Sequence, residues 1–261
     1  MPYPIGQVYH SGLPIRRRAT LGMLLVIIVL AAILTGCTAP TQPAVMHSRS
    51  STPPHTQQTL TYVAIGASDA FGVGTYFPDR DNWPTVLTHL LGPDVHLVNL
   101  GIPGETVAEA RKTELPVAID AHPALVTVWL GVNDFVQSVS VADYEQQLEG
   151  LLLSLHQKTH ARVFVGNIPD LSLLPSFSGY DQATLRATIA HWNAAVARAV
   201  AASGATLVDL YTFWNELASH PEYIASDGFH PSTVGARRLA EVFQSQIAPS
   251  LPAIRAGVDA S

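Results

Sequence analysis

The sequence has one cysteine in 261 residues. A single Cys forms no internal disulfide and builds no Cys-rich zinc site. Charge is scarce as well: 13% of residues are charged, with 14 Lys+Arg against 20 Asp+Glu and a net charge of −6. The body of the chain has no basic cluster. Nucleic-acid binding needs dense Lys and Arg to displace counterions, so no nucleic-acid partner is expected. There is no phosphate-cradling loop. Gly72-Val73-Gly74 is too short to be a dinucleotide fingerprint. No internal repeat is present.

With 48% hydrophobic residues the chain is too apolar to be disordered, and its length suits one α/β domain, or at most two small ones. A mean hydropathy of +0.22 is high for an enzyme in water and points to one distorting segment. That segment lies near the start. Arg16, Arg17 and Arg18 precede the uncharged apolar run 21–34, which ends in Leu34-Thr35-Gly36-Cys37. A basic region, an apolar run and small residues before a cut describe a secretory signal. Leu-Thr-Gly-Cys resembles a bacterial lipobox, in which Cys37 is lipidated and becomes the mature N-terminus. The alternative is an uncleaved transmembrane helix. The 18 residues 19–36 fall just short of the roughly 20 apolar residues that spanning requires.

The expected organisation is a signal over residues 1–36, a Pro/Ser/Thr-rich linker over 37–58, one folded domain over 59–252 and a tail over 253–261. The expected location is exported and membrane-anchored on the extracytoplasmic side, through the lipid or the helix. Removing the first 36 residues takes away three arginines and no acid, leaving a more acidic exported chain.

From Leu60 onward short apolar runs alternate with helical patterns. Strands are expected at 60–65, 95–100, 125–130, 162–168 and 206–210. Helices are expected at 82–91, 106–114, 141–159, 181–202 and 232–246, with Asp181 as an N-cap. Apolar strands without strict alternation are buried on both faces, as in parallel sheets. The pattern predicts a doubly wound, three-layer αβα sandwich around a mostly parallel five-stranded sheet.

In such sheets the chemistry lies at the carboxyl ends of the strands. Those ends read Gly66-Ala67-Ser68-Asp69, then Asn99-Leu100-Gly101-Ile102-Pro103-Gly104, then Gly131-Val132-Asn133-Asp134. Asp227-Gly228-Phe229-His230 precedes the last helix. A serine becomes a nucleophile when a base takes its proton and a third group orients that base. Ser68, His230 and Asp227 supply those three types. The Ser68 and Gly101 main-chain N–H groups and the Asn133 amide are candidate donors to a developing oxyanion.

The four blocks, in this order and each at a strand end, resemble those of the SGNH (GDSL-type) hydrolases, a family of esterases and lipases. The resemblance spans nearly the whole domain. It implies a flavodoxin-like sheet, Ser68 as nucleophile, Asp227 and His230 as acid and base, and Ser68, Gly101 and Asn133 as the oxyanion hole. In one departure, the Asp that usually precedes the serine is Ala67 here. That Asp supports the loop, and Asp69 is the candidate to replace its bonding.

Taken singly, each residue has a plainer reading as a turn former, cap or loop residue. Asp134 reads as a loop-stabilising carboxylate. His156 and His160 are spaced like a helical metal pair, but Gln157 stands where a zincin carries its Glu. They read as a solvated face. Trp83 reads as core, while Phe71, Tyr76 and Phe77 stay open between core and substrate pocket. The 170–180 segment is a loop placed to shape access.

Together these residues predict a serine hydrolase that cleaves carboxylic esters through an acyl-enzyme, with no metal and no organic cofactor. Its partner is a small-molecule, lipid or carbohydrate ester. The alternatives are an O-acetyl esterase or acyltransferase on cell-surface carbohydrate, and a catalytically silent surface-binding lipoprotein.

Overall fold

The computed structural model describes residues 59–259. The expected signal, Cys37 and the linker lie outside them. None of the helices in the described residues is long and apolar enough to cross a membrane.

Five strands form the sheet: β1 (Leu60–Gly66), β2 (Val95–Asn99), β3 (Leu125–Trp129), β4 (Arg162–Gly166) and β5 (Thr206–Val208). Their order is β2-β1-β3-β4-β5, and every pairing is parallel. This is the flavodoxin-like order, and the expected α/β fold is the one observed. β3 is central and buried at every position, so it reads as an unbroken apolar run. β2 lies at the edge and is buried at none. The one polar side chain inside β3, Thr127, meets the Tyr62 hydroxyl of β1 at 2.8 Å, so neither is left unpaired.

The helices are α1 (Ser68–Phe71), α2 (Pro78–Asp81), α3 (Trp83–Leu91), α4 (Val107–Asp120), α5 (Val132–Val136), α6 (Val141–Lys158), α7 (Gln182–Ser203), α8 (Leu210–Phe213), α9 (Thr233–Ile247) and α10 (Leu251–Asp259). α4, α6 and α7 pack side by side, and α3 packs on α9. Right-handed crossovers put these two groups on opposite faces of the sheet. Side-chain caps set the helix starts. Asn82, Ser140, Asp181 and Ser232 each accept an N–H from the first turn, and Thr106 and Glu109 form a capping box.

Two expectations change. α4 does not stop at Glu114 but runs through Pro116 to Asp120, because its face is held by packing although Pro donates no N–H. The segment read as a tail forms α10: Ile254 is buried, and the Arg255 guanidinium binds Asp94 and the Leu91 carbonyl.

Candidate active site

The two β strands on either side of the topological switch point, β1 and β3, deliver their C-terminal loops to one crevice. Ser68 opens α1 directly after β1. As the first helical residue, its N–H has no intrahelical acceptor. α1 lasts one turn and ends at Gly72, whose φ of 104° is left-handed. The chain then passes Gly74, φ 92°. A Cβ there would sit 2.6 Å from the Pro231 carbonyl oxygen and 2.9 Å from the His230 Cβ. Glycine thus lets the nucleophile loop lie flat against the histidine loop.

That histidine loop is itself clamped. Ile224 and Pro231 form an antiparallel bridge, and Ala225 N–H donates to the His230 carbonyl at 2.9 Å. Gly228, φ 71°, turns the chain between them. Inside the turn Asp227 Oδ1 accepts the N–H groups of Phe229 and His230 at 2.9 and 3.0 Å, and Oδ2 lies 2.6 Å from His230 Nδ1. His230 Nε2 lies 2.9 Å from Ser68 Oγ. Three side chains from positions 68, 227 and 230 therefore form one continuous relay.

The relay's protons follow from its acceptors. Burial pushes the Asp227 carboxyl up, but the His230 ring and the two main-chain N–H groups outweigh it and hold the carboxyl below its usual range. Asp227 is thus an anion and accepts only. His230 must then carry its proton on Nδ1, leaving Nε2 to accept from the serine hydroxyl. This arrangement can remove the Ser68 proton as its oxygen attacks.

Asn133 lies on α5, after β3, and faces the same cleft as Ser68 and His230. One of its amide N–H groups donates to the Glu105 carbonyl at 3.0 Å. An amide has two such hydrogens, and the second is available to a ligand. Gly101 packs on the nucleophile turn: a Cβ would lie 2.8 Å from Phe71 N and 2.9 Å from the Ala67 carbonyl oxygen. Its N–H donates to Asn99 Oδ1 at 3.1 Å, so it meets an oxyanion only by sharing that bond.

The cleft holds about 520 Å³ including its open mouth, and its walls are largely apolar: Trp129, Leu130, Leu171, Leu174, Trp214 and Phe229. Leu171 and Leu174 come from the 170–180 loop, which thus forms one wall. Ser176 N–H donates to the Gly228 carbonyl and Ser176 Oγ–H to the Asp227 carbonyl, both at 3.2 Å, tying this wall to the histidine loop.

Asp134 behaves as read. It is buried and both carboxyl oxygens accept the Val107 N–H, capping α4. Burial pushes it up to about 6, against the pull of that N–H. Trp83 is core, stacked on Phe243 at 4.5 Å. Phe71, Tyr76 and Phe77 are exposed and belong neither to the core nor to the cleft. His156 and His160 are exposed. Among the described residues no group of three or more His, Cys, Asp or Glu is arranged to hold a metal.

Asp69 accepts the Trp83 indole N–H at 3.1 Å and also main-chain N–H groups of the nucleophile turn, its own and that of Ala70. Burial raises its carboxyl to about 6, with the indole pulling it back. A further bond, at the strand end, comes from a residue outside the expected set. Glu114, on α4, accepts the Gly66 N–H at 3.0 Å. Its signal was the stripe Val107, Ala110, Glu114 and Ala118, where a glutamate occupies a core position of the helix.

Residues 64–238 match the GDSL-like Lipase/Acylhydrolase family. An acetylxylan esterase of Geobacillus stearothermophilus is 27% identical over 165 residues, covering 59% of this chain and 72% of that protein. Esterase TesA of Pseudomonas aeruginosa is 28% identical over 198 residues, covering 74% of this chain and 90% of that protein. A crystal structure of TesA superposes with a TM-score of 0.60 at 24% identity, over 72% of this chain and 98% of the other. A likeness at that identity speaks for the fold, whereas the family match covers most of the described residues. The chain belongs to the GDSL-like lipase/acylhydrolase family of serine esterases.

Proposed function

We propose that this esterase acts through Ser68, His230 and Asp227. The observation that supports the assignment is the unbroken relay from Ser68 Oγ through both ring nitrogens of His230 to Asp227. Ser68 Oγ bonds to the ester carbonyl carbon while its proton passes to His230 Nε2. The oxyanion takes N–H bonds from Ser68, Gly101 and Asn133. Collapse breaks the ester C–O bond, and His230 returns the proton to the leaving alcohol. Water then repeats the sequence on the acyl-enzyme, releasing the acid and restoring Ser68. Asp227 orients the imidazole and stabilises its charged form. Every step uses side chains and main-chain N–H groups of this chain.

The acyl group lies in the apolar cleft between Trp129, Trp214 and Leu174. The Geobacillus relative is an acetylxylan esterase, which favours an O-acetyl carbohydrate ester as the second reading. Rates on nitrophenyl esters of increasing chain length, set beside rates on acetylated xylan, separate the two. Activity confined to acetyl esters and the polysaccharide selects the second. The Leu34-Thr35-Gly36-Cys37 sequence supports export and lipid attachment at Cys37, tested by mass spectrometry of the mature N-terminus.

A fluorophosphonate probe tests the nucleophile. Labelling at Ser68, absent in Ser68→Ala, is expected. A folded protein that takes no label overturns the assignment and points to a silent binding protein.

A further inference from the structure

Two buried glutamates behind the cleft have oxygens that divide in a telling way. Glu114 Oε2 accepts the Gly66 N–H at 3.0 Å, and Glu105 Oε1 accepts the Thr113 hydroxyl. The remaining oxygens, Glu105 Oε2 and Glu114 Oε1, are buried and receive no N–H or O–H from any other group. The Thr113 hydroxyl, on the residue just before Glu114, ties the Glu105 carboxyl to α4 beside Glu114, and Glu105 is among the groups that act on the Glu114 carboxyl. Two neighbouring carboxylates, both buried, repel each other in a medium where charge is poorly solvated. One proton between the two orphaned oxygens satisfies both and removes one charge.

We propose that Glu105 and Glu114 share one proton, and that this carboxyl pair is a positioning device joining the nucleophile's strand to the oxyanion amide. Each end of the pair reaches the site. Glu114 holds Gly66, two residues before Ser68. The Glu105 carbonyl accepts the Asn133 amide N–H at 3.0 Å. The same Gly66 fixes the intervening loop: its carbonyl accepts the Ile102 N–H, and the Ile102 carbonyl accepts the Glu105 N–H, both at 3.2 Å. Gly66, the loop and both glutamates thus close a ring of bonds around the base of the site.

Ala67 explains why a device is needed here, since its methyl group offers the loop no polar bond. Asp69 on α1, also acidic, adds to the negative charge acting on Glu114 and favours the proton further. Burial and the neighbouring Glu105 raise the Glu114 carboxyl to about 10, in agreement with a proton held at neutral pH.

The proposal rests on the Ser68 and Asn133 assignment, and its test is chosen to fail separately from it. A neutral glutamic acid and a glutamine have nearly the same shape and the same donor and acceptor. Glu114→Gln is expected to keep the Gly66 bond, donate to Glu105 and retain kcat within about threefold. Glu114→Leu removes both bonds, and is expected to lower kcat about tenfold to a hundredfold with KM nearly unchanged, as for a small misplacement of reacting groups. The infrared difference spectrum of wild type against Glu114→Gln at neutral pH is expected to show the carbonyl band of a protonated carboxyl group, lost in the variant. A missing band overturns the shared proton, whatever Ser68 does. A folded Leu variant of wild-type kcat, or a Gln variant as poor as Leu, overturns the positioning role. If Leu fails to fold, the Gln kinetics and the band decide. Failure of the Ser68 assignment is read instead from fluorophosphonate labelling, which neither glutamate variant should abolish.

Discussion

Asp227 holds His230 from two sides. Its Oδ1 accepts the histidine's own main-chain N–H at 3.0 Å, while Oδ2 lies 2.6 Å from the ring Nδ1. One carboxylate thereby fixes both the turn that carries the imidazole and the tautomer the imidazole adopts. Replacing it by an amide breaks the second function more than the first. Asp227→Asn is expected to keep the turn, because the amide oxygen still accepts from the main chain, and to lower kcat by up to about 10⁴-fold through the wrong tautomer. Thermal unfolding close to wild type beside a large kinetic loss is the expected pair of readings. An unchanged kcat removes Asp227 from the relay.

Asn133 offers the test of the oxyanion hole. Asn133→Ala is expected to cost about 10²–10³ in kcat with little change in KM. Single-turnover acylation of a nitrophenyl ester measures the loss at the step where the oxyanion first forms. A loss confined to KM assigns Asn133 to substrate binding alone.

The carboxyl pair also predicts how stability varies with pH. Glu114 has its folded value raised from 4.5 to about 10, so between these limits the native state binds a proton that the unfolded chain has released. Stability from this group is therefore full below pH 4.5 and falls as pH rises, by at most about 1.4 kcal/mol per pH unit. Glu114→Gln has no proton to lose. The variant is expected to unfold at a higher temperature than wild type by a margin that grows from pH 5 to pH 9. A margin that shrinks over that range contradicts a retained proton.

Leu174 tests the cleft. It is buried in the wall formed by the 170–180 loop and faces the cleft beside Ser68. Leu174→Trp adds bulk where the acyl chain is proposed to lie. It is expected to lower kcat/KM for longer acyl esters at least tenfold while sparing acetyl esters. Equal losses at every chain length place the acyl group elsewhere.

Local sequence determined much of this protein. The alternation of apolar strand and capped helix was legible because burial on both faces and side-chain caps are local effects. Asp181, Ser232 and Asn82 mark their helices within a residue. Ser68, Asn133, Asp227 and His230 were legible because their blocks stand at strand ends or in the loop before the closing helix, where the parallel order brings distant segments to one edge. The end of α4 was not legible, because packing carries the helix past Pro116 to Asp120.

Only the tertiary structure decided who supports the nucleophile loop. Asp69, the sequence neighbour, is shared between the Trp83 indole and main-chain N–H groups of its own turn. Glu114 is 48 positions away from Gly66 along the chain and reaches it because α4 crosses behind β1. A buried glutamate in a helical stripe is a sequence anomaly without a stated partner. Its partners, Gly66 and Glu105, are named only when the chain closes on itself, because hydrogen bonds are short-ranged and depend on which groups the fold removes from water.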